Sequence, residues 1–428
     1  MEKLSAYQDK SRFEIPRTMK AVTLSGVGIE RLAYTEVAVP EVGAGQLLCR
    51  VDAAGVCTSI LKIIKQGPAH ALVNGWDMER HPVILGDEGS LTVVKVGEEL
   101  EGRYHVGQRV VIQPAVDVAP INHRERYADN AANMHKCSVG YTLGGYLADY
   151  LLVQEEVLEG QCVLKLPDES MGYYAVSMAE PISCVCSAQE RSYHIYKAGP
   201  FAQRRAKLGL LKGGTTVIVG AGLMGRMHLE MAMRFRPANL IISDVAPPRL
   251  EKAVDKLDRK AGRLGINLLA VEAERLSETV TKVTGGAKAD DVIVAVGIQS
   301  VQQDALGLLG KGGVANLYGG LSRGQDILEV CAIDVHYNEI RLVGSSGGEP
   351  SDMKAALRAI ANRDIDPGNY VFGVGGLEHT TQVLEMMQEN KVEGRVILYP
   401  HAQVDKLEFV DYWDRAMEDE FLNEHLRV

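Results

Sequence analysis

Residues 215 to 244 constrain the fold of this chain most, because they combine two strands, a glycine-rich turn and a helix in one short stretch. The β-branched run TTVIV is typical of a strand buried on both faces of a parallel sheet. Glycines follow it at G-x-G-x-x-G spacing, then a helical stretch and a second apolar strand that ends on Asp244. This order predicts a βαβ unit whose turn binds a dinucleotide.

Each glycine of this turn has its own expected role. Gly220 permits the tight turn, Gly222 lets the backbone approach a pyrophosphate, and Gly225 lets helix and strand pack closely. The helix that begins at Leu223 and Met224 offers unpaired N–H groups to the phosphates. The alternative is an ordinary βαβ turn that binds nothing.

The acid that ends the second strand predicts the choice of cofactor. The carboxylate of Asp244 can accept from a ribose 2′-hydroxyl and would repel a 2′-phosphate, so it favours NAD(H). Arg249, close by in the sequence, complicates this prediction because an arginine can accommodate the 2′-phosphate of NADP(H).

Size and charge narrow the class of protein. A chain of 428 residues with 46% hydrophobic content suits about two globular domains. Its net charge of −10 argues against nucleic acid or an anionic membrane as a partner. We see neither a membrane-spanning run nor a signal-peptide core, and the seven scattered cysteines do not suggest a disulfide framework. We therefore expect a cytoplasmic protein.

The N-terminal part follows another pattern, with short strands separated by turns. The first three are predicted at Met19–Leu24, Leu32–Val37 and Gln46–Ala53, with glycines in the last gap. Strands at this spacing indicate a small barrel or sandwich rather than βαβ units.

A series of short motifs stands in a fixed order along the chain. They are Gly55-Val56-Cys57-Thr58-Ser59, Gly86-Asp87-Glu88-Gly89, Val96-Gly97, Gly107-Gln108-Arg109-Val110, Gly144-Gly145-Tyr146-Leu147-Ala148-Asp149-Tyr150 and Glu180-Pro181. Together with the glycine-rich turn, this order resembles the zinc-dependent medium-chain dehydrogenase/reductase superfamily, in its polyol and sorbitol dehydrogenase group. The details around Cys57, Lys62 and Asp87 look most like the bacterial L-sorbose-1-phosphate reductase branch.

The resemblance implies an α/β chain with a GroES-like, β-rich catalytic domain and an inserted, doubly wound Rossmann domain. We place the first part of the catalytic domain at residues 1–186 and the Rossmann domain at 187–344. Residues 345–428 would return to the catalytic domain and add a helical extension, whose apolar residues stand among charges at helical spacing.

The resemblance also implies a catalytic zinc held by Cys57, Asp87 and Glu180, with Glu88 as a further ligand or as support for the metal. Relatives usually carry histidine where this chain has Asp87. Aspartate is an acceptable ligand, but three anionic ligands make the zinc a weaker Lewis acid. The alternative is a site that has lost its metal.

No second, structural zinc is expected. Relatives often carry four cysteines between the Gly-x-Arg-Val and Gly-Gly motifs, whereas residues 111–143 contain Cys137, His123 and His135. The other cysteines lie in apolar stretches and are expected to be buried thiols: Cys49, Cys162, Cys184, Cys186 and Cys331.

Several polar residues have two interpretations each. Ser59 matches the hydroxyl that relatives use to relay a proton, but it could also cap the following helix. Lys62 stands where relatives often have the last histidine of the relay, so it either completes the relay or binds an anionic substrate group. Arg395 is either near the cofactor's pyrophosphate or a surface arginine. The basic segment 189–212 either contacts a substrate phosphate, the cofactor or another subunit, or is a solvated face.

These features favour an enzyme that transfers a hydride between a nicotinamide and a secondary alcohol or ketone. The expected substrate is a polyol, sugar or sugar phosphate such as L-sorbose 1-phosphate, and the expected assembly is a homodimer or homotetramer. A zinc-free quinone or enone reductase and a non-catalytic nicotinamide-binding sensor are the alternatives.

Overall fold

The chain forms two compact units in a computed structural model that describes residues 2–9, 13–73, 75–117 and 136–427. The first unit comprises residues 1–180, 349–361 and 366–428, and the second comprises residues 181–348 and 362–365. No helix in these described ranges is long and apolar enough to cross a bilayer.

The strands of the described residues are short, as the turn-rich sequence predicts. In chain order they are β1 Thr18–Leu24, β2 Leu32–Ala38, β3 Leu47–Val56, β4 Val83–Ile84, β5 Glu88–Val96, β6 Arg109–Ile112, β7 Ala115–Asp117, β8 Lys136–Ser138, β9 Tyr150–Val153, β10 Val163–Lys165, β11 Tyr193–Tyr196, β12 Arg205–Leu208, β13 Thr215–Val219, β14 Asn239–Asp244, β15 Asn267–Glu272, β16 Ala289–Val294, β17 Leu309–Asn316, β18 Arg341–Val343, β19 Val371–Gly375, β20 Arg395–Leu398 and β21 Glu408–Phe409.

The helices lie mainly between the strands of the second unit and near the end of the chain. They are α1 Glu2–Gln8, α2 Ser59–Gln66, α3 Glu155–Glu159, α4 Tyr173–Ser177, α5 Ala179–Arg191, α6 Leu223–Ala232, α7 Pro247–Asp255, α8 Asp258–Leu264, α9 Leu276–Val283, α10 Gln299–Leu306, α11 Ala332–Tyr337, α12 Pro350–Ala361, α13 Thr380–Gln388 and α14 Arg415–His425.

The first unit is built on a mixed sheet of eight strands. Its order is β10-β6-β5-β3-β20-β19-β21, and β9 also pairs with β3. The central strand β3 is buried along its whole length, and its neighbours β5 and β20 are both antiparallel to it. A three-stranded sheet, β2-β1-β4, and the pair β7-β8 complete the strands described for this unit.

The second unit has a fully parallel sheet of six strands in the order β15-β14-β13-β16-β17-β18. The order reverses beside β13, which is the arrangement of a doubly wound nucleotide-binding fold. Neighbouring residues of β13 point to opposite faces, so Val217 and Ile218 belong to two separate core clusters. The β-branched strand is thus buried on both faces of the sheet, as its composition predicts.

The end of the chain packs on the first unit itself. Trp413 and Phe421 are buried, and the indole N–H of Trp413 donates to the hydroxyl of Tyr399 at 2.9 Å. Phe409 on β21 and Met417 on α14 stay exposed. The apolar face of the amphipathic extension therefore packs into the core of its own unit.

The basic segment of the second unit forms an exposed hairpin. Its strands β11 and β12 pair with each other, and all four residues of β12 are exposed. The basic residues of the segment are exposed as well: Arg191, Lys197, Arg204, Arg205, Lys207 and Lys212. His194 holds the hairpin to the sheet, because its ring nitrogen Nε2 lies 3.0 Å from a carboxylate oxygen of Asp291. The roles considered for this segment, binding of a phosphate, of the cofactor or of another subunit, and a solvated face, stay predictions.

All seven cysteines are free thiols. Cys49, Cys162 and Cys186 are buried, and Cys184 is partly buried. Cys331 is exposed, so its predicted burial was wrong. Its apolar neighbours, such as Val330 and Ile333, are exposed too, and an apolar stretch therefore did not imply a core position.

Candidate metal and nucleotide sites

The pairing of β3 with β5 brings the first group of candidate residues together. Gly55 near the end of β3 pairs with Glu88 at the start of β5, so Cys57 and Asp87 lie just beyond the paired ends. One ligand atom from each of Cys57, Asp87 and Glu88 lies within 4.8 Å of the others. Among the described residues, this is the group of three thiol, imidazole or carboxylate side chains that is close enough to hold one metal ion.

The donor set of this cluster fits a divalent metal. Asp87 Oδ1 and Glu88 Oε2 are buried and have no hydrogen-bond donor, whereas Glu88 Oε1 lies 3.0 Å from the guanidinium of Arg395. Buried carboxylates without donors are costly, and a cation would compensate them. A thiolate with carboxylate oxygens is a ligand set that zinc accepts.

Burial and mutual repulsion disfavour the charged forms of these groups. The pKa of Glu88 is raised to about 7: burial raises it most, Arg395 lowers it, and the neighbouring Asp87 raises it. Burial also raises the pKa of the Cys57 thiol, with contributions from Glu88, Asp87 and Glu180. These repulsions would be relieved by a bound cation.

Arg395 lies inside the first unit, on β20 beside β3. Its guanidinium pairs with Glu88 at 3.0 Å and donates to the backbone carbonyl of Val56 at 3.0 Å. Its side chain is 4% exposed, so the surface interpretation was wrong. A strand end suggested exposure, but the antiparallel pairing of β20 with the buried β3 places this residue in the interior.

Ser59 is bound to the metal cluster through Asp87. Its hydroxyl donates to Asp87 Oδ2 at 2.8 Å, and its backbone N–H lies 3.5 Å from the Cys57 sulfur. Helix α2 has Thr58 at its N-cap and no side-chain capping bond, so the capping interpretation of Ser59 was wrong. The Ser59 hydroxyl therefore donates to Asp87, the residue that stands where relatives usually carry histidine.

The other predicted residues of this region lie nearby but outside the metal cluster. Glu180, at the start of α5, is close enough for its charge to raise the pKa of Cys57, although it is not in the group of three. Lys62 is exposed on α2, and its charge contributes to lowering the pKa of His70. Their roles as ligand and as substrate-binding residue stay predictions.

Tyr141 and His70 were not predicted from the sequence. Ser59 forms a hydrogen bond to the Tyr141 hydroxyl, and the Tyr141 ring stacks on the His70 ring at 5.1 Å between centroids. Burial, followed by the charges of Asp87 and Cys57, raises the pKa of Tyr141. The sequence signal that points to Tyr141 is the Gly-Gly motif just after it. The N–H of Tyr146, in this motif, donates to the carbonyl of Gly86, so the segment lies beside Asp87.

Of the three candidate ligands for a second, structural zinc, the structure describes one. Cys137 on β8 is fully buried, and His123 and His135 lie outside the described residues. The absence of a structural zinc stays a prediction.

In the second unit, the glycine-rich turn connects β13 to α6. Gly220 has φ +102°, a conformation that other residues rarely adopt, and a Cβ on Gly225 would overlap the carbonyl oxygen of Gly220. A Cβ on Gly222 would meet nothing within 4 Å, so the space beside this residue is open for a ligand. Helix α6 begins with Leu223 and Met224, and its first N–H groups face the turn.

Asp244 lies at the end of β14, against this turn. Its Oδ2 accepts from the N–H of Ala221 at 2.7 Å and its Oδ1 from the N–H of Ala246 at 2.9 Å. Gly220, Asp244 and Arg249 line a common cavity of about 410 Å³ at the carboxyl end of the parallel sheet. A cavity at the point where the strand order reverses is where this type of sheet binds nucleotides. The residues therefore fit a dinucleotide.

Known families match both units. Residues 43–168 match the model of the alcohol dehydrogenase GroES-like domain, and residues 249–362 match that of the zinc-binding dehydrogenases. The chain belongs to the zinc-dependent medium-chain dehydrogenase superfamily. The resemblance and the α/β fold class predicted from the sequence are thus confirmed.

Two curated relatives of this chain are named as enzymes of a polyol phosphate and of a sugar phosphate. It is 28% identical to mannitol-1-phosphate 5-dehydrogenase of Aliivibrio fischeri, over 90% of this chain and 88% of the relative. It is 27% identical to L-sorbose 1-phosphate reductase of Klebsiella pneumoniae, over 79% of this chain and 78% of the relative.

Among solved structures, 2R,3R-butanediol dehydrogenase from Bacillus subtilis has the same fold. Its TM-score is 0.70 at 21% identity, and the match covers 89% of this chain and 99% of that one.

Proposed function

We propose that this dehydrogenase interconverts a secondary alcohol and a ketone in a polyol, sugar or sugar phosphate, with a nicotinamide as hydride carrier. The observation that carries the proposal is the convergence of Cys57, Asp87 and Glu88 within 4.8 Å, with Asp87 Oδ1 left without a donor. A structural core would not need three groups that repel one another in their charged forms.

The chain's own residues have distinct parts in this proposal. Cys57 and Asp87, with Glu180 as the third predicted ligand, would hold the zinc, and Glu88 would ligate as well or support the metal. Zinc at this position supplies Lewis acidity that polarises a carbonyl and acidifies a hydroxyl. Ser59 holds a proton on Oγ beside Asp87, where a hydroxyl can both donate and accept. These four anionic side chains and one hydroxyl form the reacting end of the substrate site.

The cofactor in this proposal is NAD(H). Each oxygen of Asp244 accepts one backbone N–H and keeps a lone pair for a ribose hydroxyl. A 2′-phosphate would meet this carboxylate, although Arg249 lines the same cavity and would lessen the repulsion. A clear preference for NADPH in kcat/KM would contradict this assignment.

Purified protein that has not been exposed to chelator tests the proposal. We expect about one equivalent of zinc by elemental analysis, and zinc-dependent oxidation of NADH with ketoses or ketose phosphates, L-sorbose 1-phosphate among them. The Cys57→Ser variant should lose zinc and activity, while the control Cys331→Ser, at an exposed thiol, should keep both. A second equivalent of zinc would contradict the prediction that the chain has no structural zinc.

Two other outcomes would replace the proposal. Less than about a tenth of an equivalent of zinc, with turnover of quinones or enones, would identify a zinc-free reductase. Binding of NADH without turnover of any polyol, ketose or ketose phosphate would favour a sensor. The predicted homodimer or homotetramer is checked independently by light scattering on the same sample.

A further inference from the structure

A row of polar side chains leads away from the metal cluster within the first unit. Ser59 donates to Asp87 at 2.8 Å and is hydrogen-bonded to the Tyr141 hydroxyl. Tyr141 stacks on His70 with an angle of 29° between the rings, and the pKa of His70 is lowered by burial and by the positive charge of the nearby Lys62. Three members of this row, Tyr141, His70 and Lys62, have no part in the chemistry described above.

Two local structures fix the row in place. Gly140, with φ +85°, lies so close to Gly86 that an added Cβ would be 2.5 Å from the Gly86 carbonyl oxygen, and this contact holds Tyr141 beside Asp87. Ser59 and Lys62 are one turn apart on α2, so their side chains lie on the same side of the helix. The row is therefore set by backbone packing at one end and by helix geometry at the other.

His70 and Lys62 present hydrogen-bond donors, and Tyr141 supports His70. The N–H of Leu72 donates to Nδ1 of His70 at 3.2 Å, so Nδ1 is unprotonated and the ring carries its proton on Nε2. Because Ser59 gives its one proton to Asp87, the Tyr141 hydroxyl donates its own proton to Ser59 Oγ, and Tyr141 contributes the ring that stacks on His70. Lys62 adds an ammonium group with three donors on an exposed, flexible stem. A neutral imidazole donor and an ammonium group complement an anion with several oxygens.

We propose that His70 and Lys62, with Tyr141 stacked on His70, form the subsite for the phosphate group of a phosphorylated sugar whose reacting carbon lies at the Cys57 and Asp87 end. This inference rests on the proposed function and narrows it to phosphorylated substrates. It assigns Lys62 to anion binding rather than to the end of a proton relay. The cofactor's pyrophosphate offers the same oxygens, so the test separates the two sources.

The test compares a ketose 1-phosphate with the matching free ketose, at saturating NADH and with zinc. We expect Lys62→Met to raise KM for the phosphorylated ketose about tenfold, since a charge-assisted hydrogen bond is lost, and to leave kcat and the KM of the free ketose within about twofold. Lys62→Arg should recover most of the loss. Lys65→Met, which removes an exposed lysine from the same helix, should behave like wild type.

The other two residues need their own variants. Tyr141→Leu, which removes the ring stacked on His70, and His70→Leu should each raise KM for the phosphorylated ketose selectively, and His70→Gln, which keeps an N–H donor, should recover part of the effect. Equal loss on both ketoses in all these variants would overturn the subsite, and so would a rise in the KM of NADH without a rise in that of the ketose phosphate.

Binding of inorganic phosphate keeps this inference separable from the proposed function. Titration calorimetry on the NADH-saturated protein should detect phosphate binding to wild type and to Lys65→Met, and binding at least about fivefold weaker to Lys62→Met. If no ketose is turned over but this difference is found, the proposed function fails and the anion subsite stands. If ketoses are turned over but phosphate binds all three proteins equally, the subsite fails alone.

Discussion

Arg395 and Glu88 form an ion pair of 3.0 Å in the interior of the first unit, one residue away from the predicted metal ligand Asp87. Both side chains are almost fully buried. The pair joins β20 to β5 across β3, three strands that are far apart in sequence. It also places one fixed positive charge beside the acidic cluster, where it opposes the rise in pKa that burial causes in Cys57 and Asp87.

The first prediction concerns this pair. Arg395→Met should lower the free energy of unfolding of the first unit by about 3–5 kcal/mol, because Glu88 is left buried without its partner. The chain contains two tryptophans, Trp76 and Trp413, and both belong to this unit, so urea unfolding followed by their fluorescence measures it. The double variant Glu88→Leu with Arg395→Met should recover most of the loss. A loss below about 1 kcal/mol for Arg395→Met would mean that Glu88 does not need this cation.

The sequence alone predicted those features that depend on residues close together in the chain. The dinucleotide turn follows from glycine spacing and a β-branched strand, and the order of strands around β13 agrees with it. Strand positions in the first unit were also predicted within a few residues, as for Met19–Leu24, which extends from Thr18 to Leu24. Strand positions can be predicted in this way because the spacing of apolar residues and the turn-forming residues between strands are visible in the sequence.

The metal cluster needed more than local pattern. Cys57 and Asp87 lie close together only because β3 pairs with β5. The register of this pairing cannot be predicted from the spacing of residues in the sequence. The resemblance supplied this contact for the motif residues, but Tyr141, His70 and the buried position of Arg395 lie outside the motifs. Each depends on tertiary packing, such as the approach of Gly140 to Gly86.

A second prediction separates two glycines of the nucleotide turn. Gly225→Ala should destabilise the second unit, because the new Cβ would overlap the Gly220 carbonyl. Gly222→Ala has open space and φ −67°, so it should fold normally and yet bind NADH at least about tenfold more weakly, since its methyl group would occupy the pyrophosphate's place. Fluorescence titration with NADH and thermal melting measure the two effects. Unchanged NADH affinity in Gly222→Ala would place the pyrophosphate elsewhere.

A third prediction concerns His228, which is fully buried on α6 with its ring against Tyr318. Burial, with a smaller effect from Arg234, lowers the pKa of His228 from 6.5 to about 3. Above pH 6.5 the imidazole is neutral in both states. As the pH falls below 6.5, the unfolded chain binds a proton that the folded chain does not, so the free energy of unfolding decreases, by at most about 1.4 kcal/mol per pH unit.

His228→Leu should therefore reduce the pH dependence of stability of the second unit between about pH 6.5 and 5. Urea unfolding followed by circular dichroism measures it, and tryptophan fluorescence identifies the transition of the first unit. His336→Leu, at an exposed histidine of the same unit, is the control and should keep the wild-type slope. Equal slopes in wild type and His228→Leu would show that the buried ring is protonated in the folded state.

The last prediction distinguishes two roles of Ser59. Its hydroxyl donates to Asp87 Oδ2 and leaves Oδ1 without a donor, so it fixes the orientation of the acid that takes the place of histidine in relatives. If this orientation matters for the metal, Ser59→Ala should weaken zinc binding by about 10–100-fold, which competition with a chromophoric chelator measures. Ser59→Thr keeps the hydroxyl and should bind zinc like wild type. A Ser59→Ala variant with unchanged zinc affinity but a lower kcat would instead assign the hydroxyl to proton transfer alone, because a relay group acts on the reaction and not on the metal.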